Sequence, residues 1–220
     1  MAKSDQRKQK KRERQNAKRK ERRQQLVRQK NRGLSERLLA ATMAPVFGSW
    51  VNSDLWSQGI GQVVLSRQLS DGQIAFGMFL VDRYCLGVKK TFGHVGPPGD
   101  YHDYLAKLKA NFEMRKVPPE DLRGFVEDAV AYAQELGFDP HPDYHRVAPI
   151  FGDLDPSRAT QRLEMGYQDG KPLYIAGPYD DVGRQQRILA TLHRSCGDQG
   201  YNGMLAVQGS ERISAEGEGS

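Results

Sequence analysis

The chain has 220 residues, a formal net charge of +6 and a mean hydropathy of −0.70, and 38% of its residues are hydrophobic. It is long enough for one domain of ordinary size with a real core. Its two cysteines are too few for a disulfide framework, and no apolar run approaches the ~20 residues of a membrane span.

The charge is not spread evenly. Residues 3–32 (KSDQRKQKKRERQNAKRKERRQQLVRQKNR) hold 15 basic and three acidic residues, a net of 15 − 3 = +12, so the remainder carries 6 − 12 = −6. This is a mildly acidic body with a basic arm. Gln, Lys, Arg, Glu and Ala all favour helix, and neither Pro nor Gly occurs before Gly33. Self-repulsion at i, i+3 and i+4 opposes that preference, so a frayed helical or disordered arm is expected, more ordered on a polyanion. Arg7, Lys8, Lys10, Lys11, Arg12, Arg14, Lys18, Arg19, Lys20, Arg22, Arg23, Arg28, Lys30 and Arg32 are the candidate phosphate-binding residues. Aromatic side chains for base stacking are missing from the arm, and no leucine heptads follow it to make a dimeric basic region. Leu26, Val27, Leu34, Leu38 and Leu39 form an apolar stripe that suits docking of the arm's base on the body. A nuclear import signal (KKRER, KRKERR) and a solubilising tail are rival uses of the same charge.

In the body, 43–58 reads as an irregular lead-in whose Trp50 and Trp56 anchor the arm's base, with Ser53 and Asp54 capping a helical turn. Apolar runs around Leu69-Ser70-Asp71-Gly72 predict a hairpin over 60–81, and a further strand follows a bend or bulge at Asp82, making a three-stranded meander over 60–92. Phe79–Phe92, FLVDRYCLGVKKTF, resembles a stretch found in an uncharacterised bacterial domain family with no assigned activity. The resemblance implies a bacterial origin and a recurring domain, and brings no catalytic assignment. On an ideal strand Asp82 and Cys85 take opposite faces, whereas Cys85 and Lys89 share one, where a lysine can lower a thiol pKa. A small buried cysteine is the competing reading.

Gly93–Gly99 is a loop by composition, and Asp100 caps a helix that aligns Tyr101, Tyr104, Leu105, Leu108 and Phe112. Pro118-Pro119 opens a second helix with Leu122, Phe125, Val126, Ala129, Val130, Ala133 and Leu136 on one stripe, ending at Gly137. The short link predicts an antiparallel helical pair on one face of the sheet. His94, His102, Asp103, His141 and His145 invite a metal reading, but His141-Pro142 disfavours a helical pair of ligands and no Glu completes the zincin pattern, so no metal or other cofactor is assigned. Asp153, Asp155 and Ser157 read as a turn with an Asx cap rather than a cation loop. A second hairpin is expected at 162–167 and 171–176 around Gln168-Asp169-Gly170. A helix then follows, capped by Asp180 and Asp181, with Val182, Ile188, Leu189 and Leu192 inward. A short strand at 201–207 precedes a disordered tail.

The expected class is α+β: a mixed or antiparallel sheet from two hairpin units, a helical pair and a C-terminal helix. Arm, domain and tail divide at 1–42, 43–208 and 209–220. Three roles fit. The first is a non-enzymatic accessory protein binding a polyanion through the arm, RNA or the ribosome before DNA. The second is an enzyme with a site in 82–103 drawn from Asp82, Cys85, Lys89, His94 and His102. The third is an adaptor with a protein partner on the body. A cytoplasmic setting without a membrane span fits all three.

Overall fold

The computed structural model describes residues 12, 15–22, 24, 33–178 and 180–204. In chain order these give helix α1 (33–40), β1 (Val46–Asn52), α2 (Asp54–Ser57), β2 (Ile60–Gln68), β3 (Ile74–Asp82) and β4 (Gly87–Gly96). There follow α3 (Pro98–Asn111), β5 (Met114–Lys116), α4 (Pro119–Glu135), α5 (Tyr144–Val147), β6 (Leu173–Ile175), α6 (Val182–Cys196) and β7 (Asn202–Met204), with three short 3₁₀ turns at Ala148–Phe151, Pro156–Arg158 and Gln168–Gly170. The architecture is α+β. One antiparallel sheet runs β4-β3-β2-β1-β5, and β6 and β7 form a small parallel pair beside it.

The 60–92 meander is present as β2, β3 and β4, with its first turn closed by Gly72 N–H on Leu69 C=O. β4 runs past the expected end at Phe92 to Gly96, and Asp100 lies inside the first turn of α3 rather than at its cap, so the glycines of 93–96 belong to a strand. The lead-in is also a strand. β1 pairs with β2 on one side and β5 on the other. Its apolar alternation is hidden because Gly48 must lie bare under α3: a Cβ there would sit 2.5 Å from the Tyr101 hydroxyl.

The two helices do not share a face. Tyr101, Leu105 and Leu108 of α3 pack on Val64, Ile74, Phe76 and Met78, while Leu122, Phe125, Val126 and Ala129 of α4 pack with Val63, Leu65, Phe79 and Val81. Alternate strand positions face opposite ways, so the sheet is covered on both sides. The chain crosses between the faces by way of β5, which the 112–118 link contains. Trp50 and Trp56 serve these helices rather than the arm. Trp50 Nε1 meets the Tyr101 hydroxyl at 3.1 Å under the Lys109 ammonium, and Trp56 stands edge-on to Phe125.

The arm's base enters the core through α1. Leu38 and Ala41 are fully buried in the α4-side cluster, Leu34 packs against it, and Leu39 is exposed. Arg67 fastens the junction behind them. Only 2% exposed, it donates to the carbonyls of Ala44, Ile150 and Phe151 and pairs with Asp153 at 2.9 Å.

The second hairpin does not form. Leu173–Ile175 pairs in parallel with β7, and residues 162–165 are not a strand. Their expected role is taken by the β3–β4 turn: Gly166 N–H donates to Arg83 C=O and Leu173 N–H to Tyr84 C=O. Asp121, wholly buried at the start of α4, holds the preceding segment by accepting from Thr160 N–H, Thr160 Oγ1 and Gln161 N–H.

Candidate functional site

The β3–β4 turn assembles a charged cluster between the sheet and the β6–α6 unit. Asp82 ends β3, and its Oδ1 accepts from the backbone N–H groups of Tyr84 at 3.0 Å and Cys85 at 3.1 Å, which sets the turn over 83–86. Gly87 then has φ 62°, and a Cβ there would stand 2.8 Å from the Ala129 carbonyl oxygen of α4. Pairing slips between Leu80↔Lys90 and Val81↔Val88, so Lys89 is the extra residue of a β-bulge. A bulge frees a side chain from the strict alternation of a strand. Val88 turns into the α4-side core, and Lys89 Nζ comes to 4.0 Å from Asp82 Oδ2.

The opposite wall comes from the segment between β6 and α6. Asp180 accepts from the Tyr174 hydroxyl at 3.0 Å and from Gly177 N–H at 2.9 Å, and pairs with Arg184 Nε at 2.8 Å. Asp181 alone caps α6, accepting from Arg184 N–H at 2.7 Å. Lys89 therefore lies between two carboxylates of opposite character. Burial pushes the Asp82 carboxyl above the ordinary range, against the pull of Lys89 and the turn amides. Burial also acts on Asp180, but the Gly177 amide, the Tyr174 hydroxyl, Lys89 and Arg184 outweigh it and hold that carboxyl low.

Two clefts meet at Lys89. One, of about 470 Å³, has mainly apolar walls that include Ile60, Tyr84, Tyr167 and Leu173, with Asp82 and Lys89 on its lining. The other, of about 530 Å³, is lined by Lys89, Phe138, His141, Arg184, Arg187 and Ile188, among others. Both volumes fall in the range of small-molecule sites. The Lys89 side chain is only 15% exposed, yet among the described residues no acceptor lies within hydrogen-bonding distance of its ammonium; Asp82 at 4.0 Å is its nearest ion partner. A cation that opens onto both clefts with no ion partner closer than 4.0 Å suits a bound anion.

No family model, no curated protein and no solved structure matches this chain. The site is therefore read from its own chemistry.

Of the five residues from 82–103 that the sequence singles out, only Asp82 and Lys89 come together at a cleft. Cys85 sits in the turn, not in a strand, and its side chain packs fully buried with Leu86, Leu136, Tyr174, Ile188 and Leu192. Burial and then the Asp82 carboxylate raise its thiol pKa, against the weaker pull of Lys89, so the thiolate is disfavoured and Cys85 lines neither cleft. His94 lies toward the other end of β4, with Nε2 2.7 Å from Asp100 Oδ2. His102 is on α3, edge-on to Phe47 and Tyr101. Among the described residues no three His, Cys, Asp or Glu side chains converge as a metal site requires. Asp153 is bound to Arg67, and Asp155 caps its own turn by accepting from Ser157 N–H.

Of the arm's candidate residues, Arg12, Lys18, Arg19, Lys20 and Arg22 are helical and solvent-exposed. Arg7, Lys8, Lys10, Lys11, Arg14, Arg23, Arg28, Lys30 and Arg32, with Leu26, Val27 and the 205–220 tail, lie outside the described residues. Among the described residues no helix is long and apolar enough to cross a membrane.

Sequence reasoning took Asp180 only as a helix cap and passed over Arg184 and Arg187. One signal was present: Asp180-Asp181 offers two carboxylates where a helix needs one cap. Nothing in the sequence links them to Lys89, about ninety positions earlier.

Proposed function

We propose that this protein is an accessory factor that binds a polyanion through its basic N-terminal arm, with RNA or the ribosome as the partner in preference to DNA. The observation that carries this reading is the separation of charge, +12 on residues 1–32 against −6 on the rest. Lys and Arg at that density bind phosphate backbones through charge-assisted hydrogen bonds and counterion release. Two features support it. The described arm residues present their side chains to solvent, and α1 roots the arm in the core through Leu38, so the body holds the arm at a fixed exit point. RNA is preferred by analogy with long basic extensions on acidic globules.

The test is binding of full-length protein and of the 33–220 fragment to RNA and to DNA of equal length, with co-purifying material identified before and after nuclease treatment. Full-length protein binds RNA, and the fragment loses that binding. Undiminished binding by a folded 33–220 fragment overturns the proposal, and nuclease-insensitive co-purification of protein alone favours an adaptor role.

A further inference from the structure

We infer that the cleft between the β3–β4 turn and α6 is a binding site for a small phosphate monoester, with Lys89, Arg184 and Arg187 as the phosphate ligands. Lys89 brings an ammonium that opens onto the cleft from a side chain only 15% exposed, with Asp82 at 4.0 Å as its nearest ion partner, delivered there by the bulge in β4. Arg184 is held in place from behind: its Nε forms an ion pair with Asp180 Oδ1 at 2.8 Å, which leaves the outer part of the guanidinium fork for a second acceptor. Arg187, one helical turn further along α6, lines the same cleft and has no ion pair among the described residues. His141 lies on the facing wall, where its Nδ1 accepts from Asp143 N–H at 3.2 Å; the remaining proton of the neutral ring then sits on Nε2, a donor.

Arg184 already answers Asp180, so Lys89 and Arg187, lining the cleft from two elements, are the charges left for a ligand, and two exceed the single charge of a carboxylate. A phosphate monoester offers three terminal oxygens and close to two negative charges. Leu86, Val88, Phe138 and Ile188 on the lining suit the organic part of the ester, and about 530 Å³ matches a molecule of mononucleotide size rather than a polymer. Asp139 on the rim disfavours a longer polyanionic chain running through the cleft. The site thus differs from the arm in both ligand size and location, and it stands whether or not the arm binds RNA.

The experiment is calorimetric titration of the full-length protein with 5′-AMP and, separately, pyrophosphate, at constant ionic strength. The comparison set is Lys89→Met, Arg187→Gln and an arm variant with Lys10, Lys11 and Arg12 changed to Gln. The proposal expects saturable one-site binding, weakened about tenfold or more in Arg187→Gln and further in Lys89→Met, and unchanged in the arm variant. Arg187 is exposed, so its variant stays folded even if Lys89→Met does not, and it decides the matter. Absence of saturable binding overturns the inference. So does binding that Arg187→Gln leaves intact, or that only the arm variant loses, because the phosphate is then held by the arm.

Discussion

Two buried charged residues carry distinct predictions. Asp82 is 9% exposed at its side chain and accepts two backbone amides, while its carboxyl is raised by burial. The folded state therefore binds a proton more readily than the unfolded chain, and this group's contribution to stability falls as pH rises from the ordinary carboxyl value of about 3.9 through the folded value. Asp82→Asn keeps an acceptor for Tyr84 and Cys85 and removes the buried charge. It should stay within about 1 kcal/mol of the parent at neutral pH and lose that part of the pH slope. Asp82→Ala leaves both amides unpaired and should cost about 1–3 kcal/mol, as urea melts at several pH values will show. Arg67 is the opposite case, a buried cation satisfied by three carbonyls and Asp153. Arg67→Met orphans those carbonyls and should cost about 1–3 kcal/mol for each one left buried without a donor, in the same melts. Arg67→Lys should recover only part of the loss, because a single ammonium cannot span the fork.

At the scale of elements, a helical period and a turn signal were legible where both were strong. The α4 stripe from Leu122 to Leu136 showed in its period, and the 60–92 meander in the Asp71-Gly72 turn between apolar runs, although β3 is buried on both faces and shows no alternation. β1 was not legible, since Gly48 and Ser49 fill the places where alternation would show. The assignment of both helices to one face failed for a topological reason: a three-residue strand, too short to leave a pattern, carries the chain across the edge of the sheet. At the site, Asp82 and Lys89 could be singled out, but the bulge that unites them depends on cross-strand register, which a single strand's sequence does not record. The root of the arm raises a matching question of stability. Leu38 is fully buried, and its Cδ1 stands 2.7 Å from where a Cβ of Gly93 would be, so the helix lies directly on β4. Leu38→Ala should cost about 2–5 kcal/mol. A chain beginning at residue 33 should melt as the full-length protein does, and one beginning at residue 43 should melt well below it. Equal melting of the two truncations would place the root outside the core.

For the whole molecule, the two net charges set how binding depends on salt. If the arm neutralises phosphates with its full net charge of +12, the plot of log K against log salt for single-stranded RNA has a limiting slope of about −8, from roughly 0.7 per neutralised phosphate. The 33–220 fragment, at −6, should show almost no slope. The same asymmetry makes the body a competitor for its own arm. If the body's net −6 attracts residues 1–32 at low salt as RNA would, that attraction is screened on the same scale of about 10 Å at 0.1 M. Some of the affinity gained on lowering the salt is then spent displacing the arm from the body, so the full-length plot should flatten at its low-salt end. A peptide of residues 1–32 has no body to leave, and its plot should stay straight. Filter-binding or anisotropy titrations of both over the same salt range separate the cases: parallel straight lines mean the arm acts as a free tail, and curvature confined to the full-length chain means that nucleic acid must first release it.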